Sequence, residues 1–185
     1  MRKRILLASA LLAISSLAQA AGFSLTSSEI KAGGTMPKSF EFNGFGCTGE
    51  NKSPALKWSG APAGTKSFAV TVYDPDAPTG SGWWHWLVVN IPANVTELAS
   101  NAGAVGGANL PAGASNVRVD FGFAGWGGTC PPQGDKPHRY VFTVYALKTD
   151  KLDVPADATA ALAGFMIHAN KLASASFTAK YGRKK

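Results

Sequence analysis

Cysteine is scarce. Cys47 and Cys130 are the only two in 185 residues, too few and too far apart for a four-ligand zinc site. Charged residues are sparse as well, at 16% against 45% hydrophobic, which excludes intrinsic disorder and the coiled-coil and collagen-like classes. No stretch supplies the ~20 apolar residues needed to span a bilayer. The longest, Ile5 to Leu17, is interrupted by Ser9. There is no G-x-S-x-G elbow, no P-loop and no H-E-x-x-H helix motif. Internal repeats and interdomain linkers are absent too.

A basic face is also missing, although the net charge of +7 first suggests one. Arg2, Lys3 and Arg4 lie at one end and Arg183, Lys184 and Lys185 at the other, so the body between them carries about +1. A nucleic-acid binder needs its cations clustered on the folded domain. That function class is excluded.

What is present begins with an address. Met1–Arg4 is cationic, Ile5–Leu17 apolar, and Ala18-Gln19-Ala20 a small-x-small site. This layout predicts a signal peptide over 1–20, cut between Ala20 and Ala21. No cysteine stands at the cut, so a lipoprotein anchor is not expected. The remainder, 21–185, is sized for a single domain. It is expected to be exported and soluble, and periplasmic if the source is a Gram-negative bacterium. An oxidising compartment predicts that Cys47 and Cys130 form a disulfide. It would close a loop of 84 residues, stabilising by roughly 4–5 kcal/mol in the chain-entropy account.

Glycine and proline make up about 17% of the chain and separate short β-branched runs. Strands are predicted at Phe23–Ile30, Ser67–Tyr73, Trp86–Ile91, Val117–Phe123 and Arg139–Leu147. Phe68, Val70 and Val72 share one face of the second run, and Tyr140, Phe142, Val144 and Ala146 one face of the last. Few polar residues interrupt either run, so both are expected to be central strands covered on both sides. One helix is predicted after Pro155, capped by Asp157, with Leu162, Phe165, Met166, Ala169 and Leu172 as its core face. Many strands and one late helix imply a mainly β fold of two packed, mostly antiparallel sheets. Ala102–Asn116 reads as a surface excursion, and Ala124–Pro137 as a long, rigid loop of the kind that carries function.

Three clusters carry chemistry, each at a strand end. They are Tyr73-Asp74-Pro75-Asp76-Ala77-Pro78, Trp83-Trp84-His85-Trp86, and Cys130-Pro131-Pro132 with Lys136-Pro137-His138-Arg139-Tyr140. Carboxylates alone repel an anion. Set behind imidazoles, they accept one ring N–H and leave the other nitrogen for a ligand. Asp74 or Asp76 is therefore expected to orient His85 or His138, with Tyr140 adding a hydroxyl. Indoles from Trp83, Trp84 or Trp126 would wall the site, and binding would strengthen as the histidines protonate. Arg139 is expected either to meet an acidic ligand or to pair with Asp120 or Asp135, and His168 to be structural or exposed.

Asp74–Pro78 matches a D-P-D-A-P signature, Trp84–Asn90 a W-H-x-L-V-V-N stretch, and Pro131–Tyr140 a P-P-x-G-x-x-H-R-Y segment with one extra residue before the histidine. Together they resemble the phosphatidylethanolamine-binding protein family, also called Raf-kinase-inhibitor-like, and most of all the exported member of its bacterial YbhB/YbcL branch. The resemblance implies a two-sheet β fold with an anion pocket at one end, formed by Asp74, Asp76, His85, Pro132, His138 and Tyr140. It implies no cofactor, and a phosphate-bearing or other small anionic ligand such as a phospholipid head group. Departures fall at Trp126, where bacterial relatives commonly carry Tyr, at Thr129 in place of Pro before the cysteine, and at Ala169-Asn170 in place of a Gly-His pair. The tight turn also admits a cis Ala77–Pro78 bond.

The reading is a non-enzymatic binding protein with no metal. Three rivals stand beside it. A protein-interaction or inhibitor module, acting on a protease or on a host or envelope partner, would make the pocket secondary. A His/Asp metal site lacks ligands at helix spacing. A Ser-His-Asp hydrolase lacks a recognisable nucleophile, although triads are defined by geometry rather than order.

Overall fold

The computed structural model describes residues 22–185. The signal peptide assigned to 1–20 and its cut lie outside the described residues. In chain order the strands are β1 (Ser24–Thr26), β2 (Asn43–Gly44), β3 (Cys47–Thr48), β4 (Leu56–Ser59), β5 (Ser67–Asp74), β6 (Trp83–Pro92), β7 (Glu97–Leu98), β8 (Ser115–Asn116) and β9 (His138–Leu147). Helix α1 (Ala160–Asn170) and β10 (Lys171–Tyr181) follow. A five-stranded antiparallel sheet runs β10-β9-β5-β6-β8, a three-stranded one β1-β4-β7, and β2-β3 is a separate hairpin.

Period-2 patterning explains the layering. Phe68, Val70 and Val72 of β5 and Tyr140, Phe142 and Val144 of β9 face the three-stranded sheet, where Leu25, Leu56, Trp58 and Leu98 meet them. Trp58, Trp86 and Trp126 are wholly buried here. Each removes about 150–250 Å² from water, roughly 4–6 kcal/mol of transfer free energy as an upper figure. The opposite face, with Ala69, Leu87, Val89, Tyr145 and Leu147, is covered by α1 and by Val117, Val119 and Leu152. Both β5 and β9 are thus central and buried on both sides, as their composition predicts.

The helix corrects three expectations. It starts at Ala160, and its cap is Thr159, whose Oγ1 accepts the Leu162 N–H at 3.2 Å, rather than Asp157. It buries Ala160, Ala163 and Ile167, while Leu162, Phe165 and Leu172 are exposed. An almost wholly apolar helix has no polar face to set its rotation, and small alanines let it approach a sheet crowded with Tyr145 and Leu147. It also ends at Asn170, so Leu172 belongs to β10, a strand whose run of Ala and Ser hid its alternation.

Val117–Phe123 is not a strand. The ladder with β6 covers Ser115–Asn116, the Val117 N–H adds one bond to the Leu87 carbonyl, and the chain then folds back so that Arg118 bridges Ala124. Gly122 at φ 88° makes that reversal. No cis peptide occurs among the described residues, so Ala77–Pro78 is trans. No helix among them is long and apolar enough to cross a membrane.

Candidate functional site

Antiparallel pairing decides where the three motifs meet. β5 pairs with β6 on one side and β9 on the other, so the end of β5 lies against the start of both neighbours: Asp74 is opposite Trp83, and Tyr73 opposite Val141. The D-P-D-A-P turn, the Trp-His segment and the His-Arg-Tyr segment therefore share one rim.

Asp74 is the pivot. It is 2% exposed. Its Oδ1 accepts the Asp76 N–H at 2.8 Å, closing an Asx-type turn. Its Oδ2 accepts Nδ1–H of His138 at 2.8 Å. The His138 ring is buried, and its Nε2 stands 3.7 Å from Asp135, beyond hydrogen-bond reach. Of the two histidines expected to have a carboxylate behind them, His138 is the one that has it, and His85 is held by a backbone carbonyl. Its Nδ1 lies 2.7 Å from the Gly127 carbonyl, which can only accept, so Nδ1 carries the proton and Nε2 is left uncommitted. The Gly127 N–H returns a bond to the His85 carbonyl at 2.8 Å. A Cβ on Gly127 would collide with the Phe121 ring, so the close approach requires glycine.

These groups surround a cavity of about 200 Å³ lined by Asp74, His85, Pro132, His138 and Tyr140 among others. Tyr140 packs edge-on to His85 with centroids 5.1 Å apart. Its buried hydroxyl has no hydrogen-bond partner among the described residues. Burial, reinforced by the Asp74 charge, raises the Tyr140 pKa, so the phenol stays a neutral donor. Burial likewise pushes His85 below its ordinary value, against the pull of the Gly127 carbonyl, and favours the neutral ring.

Asp76 is brought to the turn but not to the cavity wall. Its carboxylate takes the Arg139 guanidinium at 2.7 and 2.9 Å and the Arg139 N–H at 2.8 Å. Those hydrogen bonds hold its pKa down at about 2. Arg139 thereby pairs with neither Asp120 nor Asp135. Asp120 instead accepts the Trp84 N–H at 2.8 Å.

Of the three indoles expected at the wall, only Trp83 lines the cavity. Trp126 is a core residue, edge-on to Trp86 at 5.9 Å. Trp84 packs on Tyr73 at 4.5 Å. Thr129 is wholly buried. Asn170 caps the far end of the sheet, where its carbonyl accepts the Lys148 N–H, a β9 length away from His138. His168 is exposed at the helix, edge-on to Tyr145.

Cys47 and Cys130 form a disulfide. It ties the β2–β3 hairpin to the Pro131-Pro132 loop. Arg183, assigned by its position to a free basic tail, is built into the same corner. Its Nε donates to the Pro131 carbonyl at 2.7 Å and its Nη1 to the Gly46 carbonyl at 2.8 Å. Sequence reasoning also missed Phe45 and Phe121 as lining residues. The Gly-Phe-Gly run beside Cys47 was a signal for the first. Among the described residues no cluster of three or more His, Cys, Asp or Glu side chains is disposed to hold a metal ion.

A two-sheet β domain with a small strand-end cavity lined by two imidazoles is the build of a binding protein. Similarity to known proteins makes the assignment specific. Residues 26–182 match the phosphatidylethanolamine-binding protein family. The chain is 58% identical over 179 residues to the UPF0098 protein YbcL of Escherichia coli K12, covering 97% of this chain and 98% of that one. It is 50% identical over 157 residues to YbhB of the same organism, covering 85% and 98%. The crystal structure of E. coli YbcL superposes with a TM-score of 0.86 at 60% identity, over 88% of this chain and 99% of that one. The chain belongs to the phosphatidylethanolamine-binding protein family.

Proposed function

We propose that this is an exported, non-catalytic binding protein whose strand-end cavity takes a phosphate-bearing ligand. The observation that carries the reading is the shared commitment of two buried imidazoles. Nδ1 of His138 is bonded to Asp74 and Nδ1 of His85 to Gly127, which leaves both Nε2 atoms and the Tyr140 hydroxyl for a guest. A phosphate oxygen accepts from the phenol and from a protonated imidazole. A phosphate that still carries a proton donates it to the neutral His85 Nε2. Preorganised donors in a partly dry cavity act at low dielectric, where each is stronger than in water. Neither the bridged cysteines nor Thr79, whose hydroxyl donates to the Gly82 carbonyl, is free as a nucleophile.

Calorimetric titration with inorganic phosphate and phosphoethanolamine tests this. Binding is expected in the wild type and is lost in His85→Gln/His138→Asn, a pair in which the introduced asparagine amide keeps a donor for Asp74. Equal binding by the variant, or none by the wild type at millimolar phosphate, sinks the reading. Export rests on the 1–20 layout and is tested by the mass of the secreted chain, which should begin at Ala21.

One observation favours an added protein-interaction role. The helix directs Leu162 and Phe165 outward, with Phe165 72% exposed. If that face docks a target, Phe165→Asp abolishes the contact and leaves phosphate binding intact.

A further inference from the structure

Phe45 stands where a phenylalanine is disfavoured twice. The hairpin pairs Asn43 with Thr48 and Gly44 with Cys47, leaving Phe45 and Gly46 as its two-residue loop. Their φ angles are 51° and 77°, the type I′ pattern that favours Asn-Gly and penalises a bulky side chain at its first position. The side chain is also 73% exposed, so burial does not offset the strain. Strain retained with so little burial in return points to a residue kept for a guest.

Its surroundings say what guest. Phe45 lines the cavity mouth and lies nearly parallel to Phe121, with centroids 6.0 Å apart and 12° between planes. Phe42 supports it from behind at 5.4 Å. Phe121 in turn stands against Trp83 at 5.5 Å and against His85 at 5.4 Å. An apolar shelf thus runs without a break from the buried imidazole to solvent. Its outer end is rigidly mounted, because the disulfide fixes Cys47 and Arg183 holds the Gly46 carbonyl. The shelf itself carries no charge: Phe45, Phe121 and Trp83 are apolar rings, and Asp74 at its inner end is bonded to His138.

We propose that the shelf is a second subsite for a flat, apolar ester group on the bound phosphate, making aryl phosphomonoesters the preferred ligand class and Phe45 the residue that selects them. The inference rests on the phosphate reading above. It is tested by calorimetric titration of the full exported protein with phenyl phosphate, phosphoethanolamine and inorganic phosphate, in wild type and Phe45→Asn. Asparagine suits the positive φ, so the variant keeps the turn, and its thermal midpoint is expected to equal or exceed that of wild type. The wild type should bind phenyl phosphate about tenfold more tightly than the other two, the order of one aromatic contact with its burial. In Phe45→Asn that preference should vanish, the affinity for phenyl phosphate falling to that for inorganic phosphate in the same variant. Equal wild-type affinity for the three probes overturns the subsite and leaves the phosphate reading standing. So does a preference that survives in Phe45→Asn. Binding of no probe overturns both.

Discussion

Replacing Tyr140 with Phe is expected to stabilise the unliganded protein and weaken its binding, two effects of opposite sign from one oxygen atom. The hydroxyl is buried without a partner among the described residues, and an unsatisfied buried polar group costs about 1–3 kcal/mol. Removing it from an otherwise unchanged ring should recover about 1 kcal/mol. For a domain of this size that raises the thermal midpoint by roughly 2–4 °C. On binding, the same hydroxyl donates to a charged oxygen, a bond worth about 1.5–3 kcal/mol. Affinity for phosphate should therefore fall about tenfold to a hundredfold. Because burial and the Asp74 charge hold the phenol neutral, the loss should be the same at pH 5 and pH 8. Differential scanning calorimetry and isothermal titration read the two arms on one preparation. A destabilised Tyr140→Phe, or one with undiminished affinity, refutes an orphan hydroxyl kept for the ligand.

The geometry fixes three other outcomes. His85 is pushed low by burial, so its neutral form is favoured in the folded state. Stability is then full above the ordinary histidine value near 6.5 and falls on acidification, with a slope approaching about 1.4 kcal/mol per pH unit; urea midpoints at pH 7.5 and 5 should differ less in His85→Gln, and an unchanged difference contradicts the assignment. Asp76 sits at about 2, so its contribution is complete above the ordinary carboxylate range and disappears as pH falls through that value. Since the pair with Arg139 is partly exposed, Arg139→Gln should cost under about 1 kcal/mol, return the Asp76 carbon resonance to ordinary titration and leave phosphate affinity within about twofold; a large affinity loss would place Asp76 in the cavity after all. Removing the disulfide as Cys47→Ser/Cys130→Ser should lower unfolding free energy by up to roughly 4–5 kcal/mol, because the two cysteines stand 83 positions apart in the chain, and a loss below about 1 kcal/mol would mean that strain or residual structure cancels the loop entropy.

Much of this was legible in the sequence where it depended on neighbours along the chain. Alternation in Ser67–Tyr73 and Arg139–Leu147 reported two buried faces because a strand shows successive side chains to opposite sides. Prolines and carboxylates in one short run reported a turn. Two cysteines behind a segment that reads as a leader reported a bridge. Where the pattern was degenerate it misled. An almost wholly apolar helix misplaced Leu162 and Phe165 on the buried face, of which Met166 does pack on the core, and the alternating Ala and Ser of Lys171–Tyr181 gave no strand signal because small residues barely differ in hydrophobicity.

Residue order alone was enough to establish that strands dominate, that two of them run through the core, and that three polar motifs stand at strand ends. Which partners those motifs take emerged only once the sheets were assembled. His138 reaches an aspartate 64 residues away, and His85 a carbonyl 42 residues away. Asp76 is claimed by Arg139, Trp126 by the core, and Phe45 is turned toward the opening. Local spacing cannot choose among such options, because each is set by which antiparallel ends meet, and that is fixed by packing across the whole sheet.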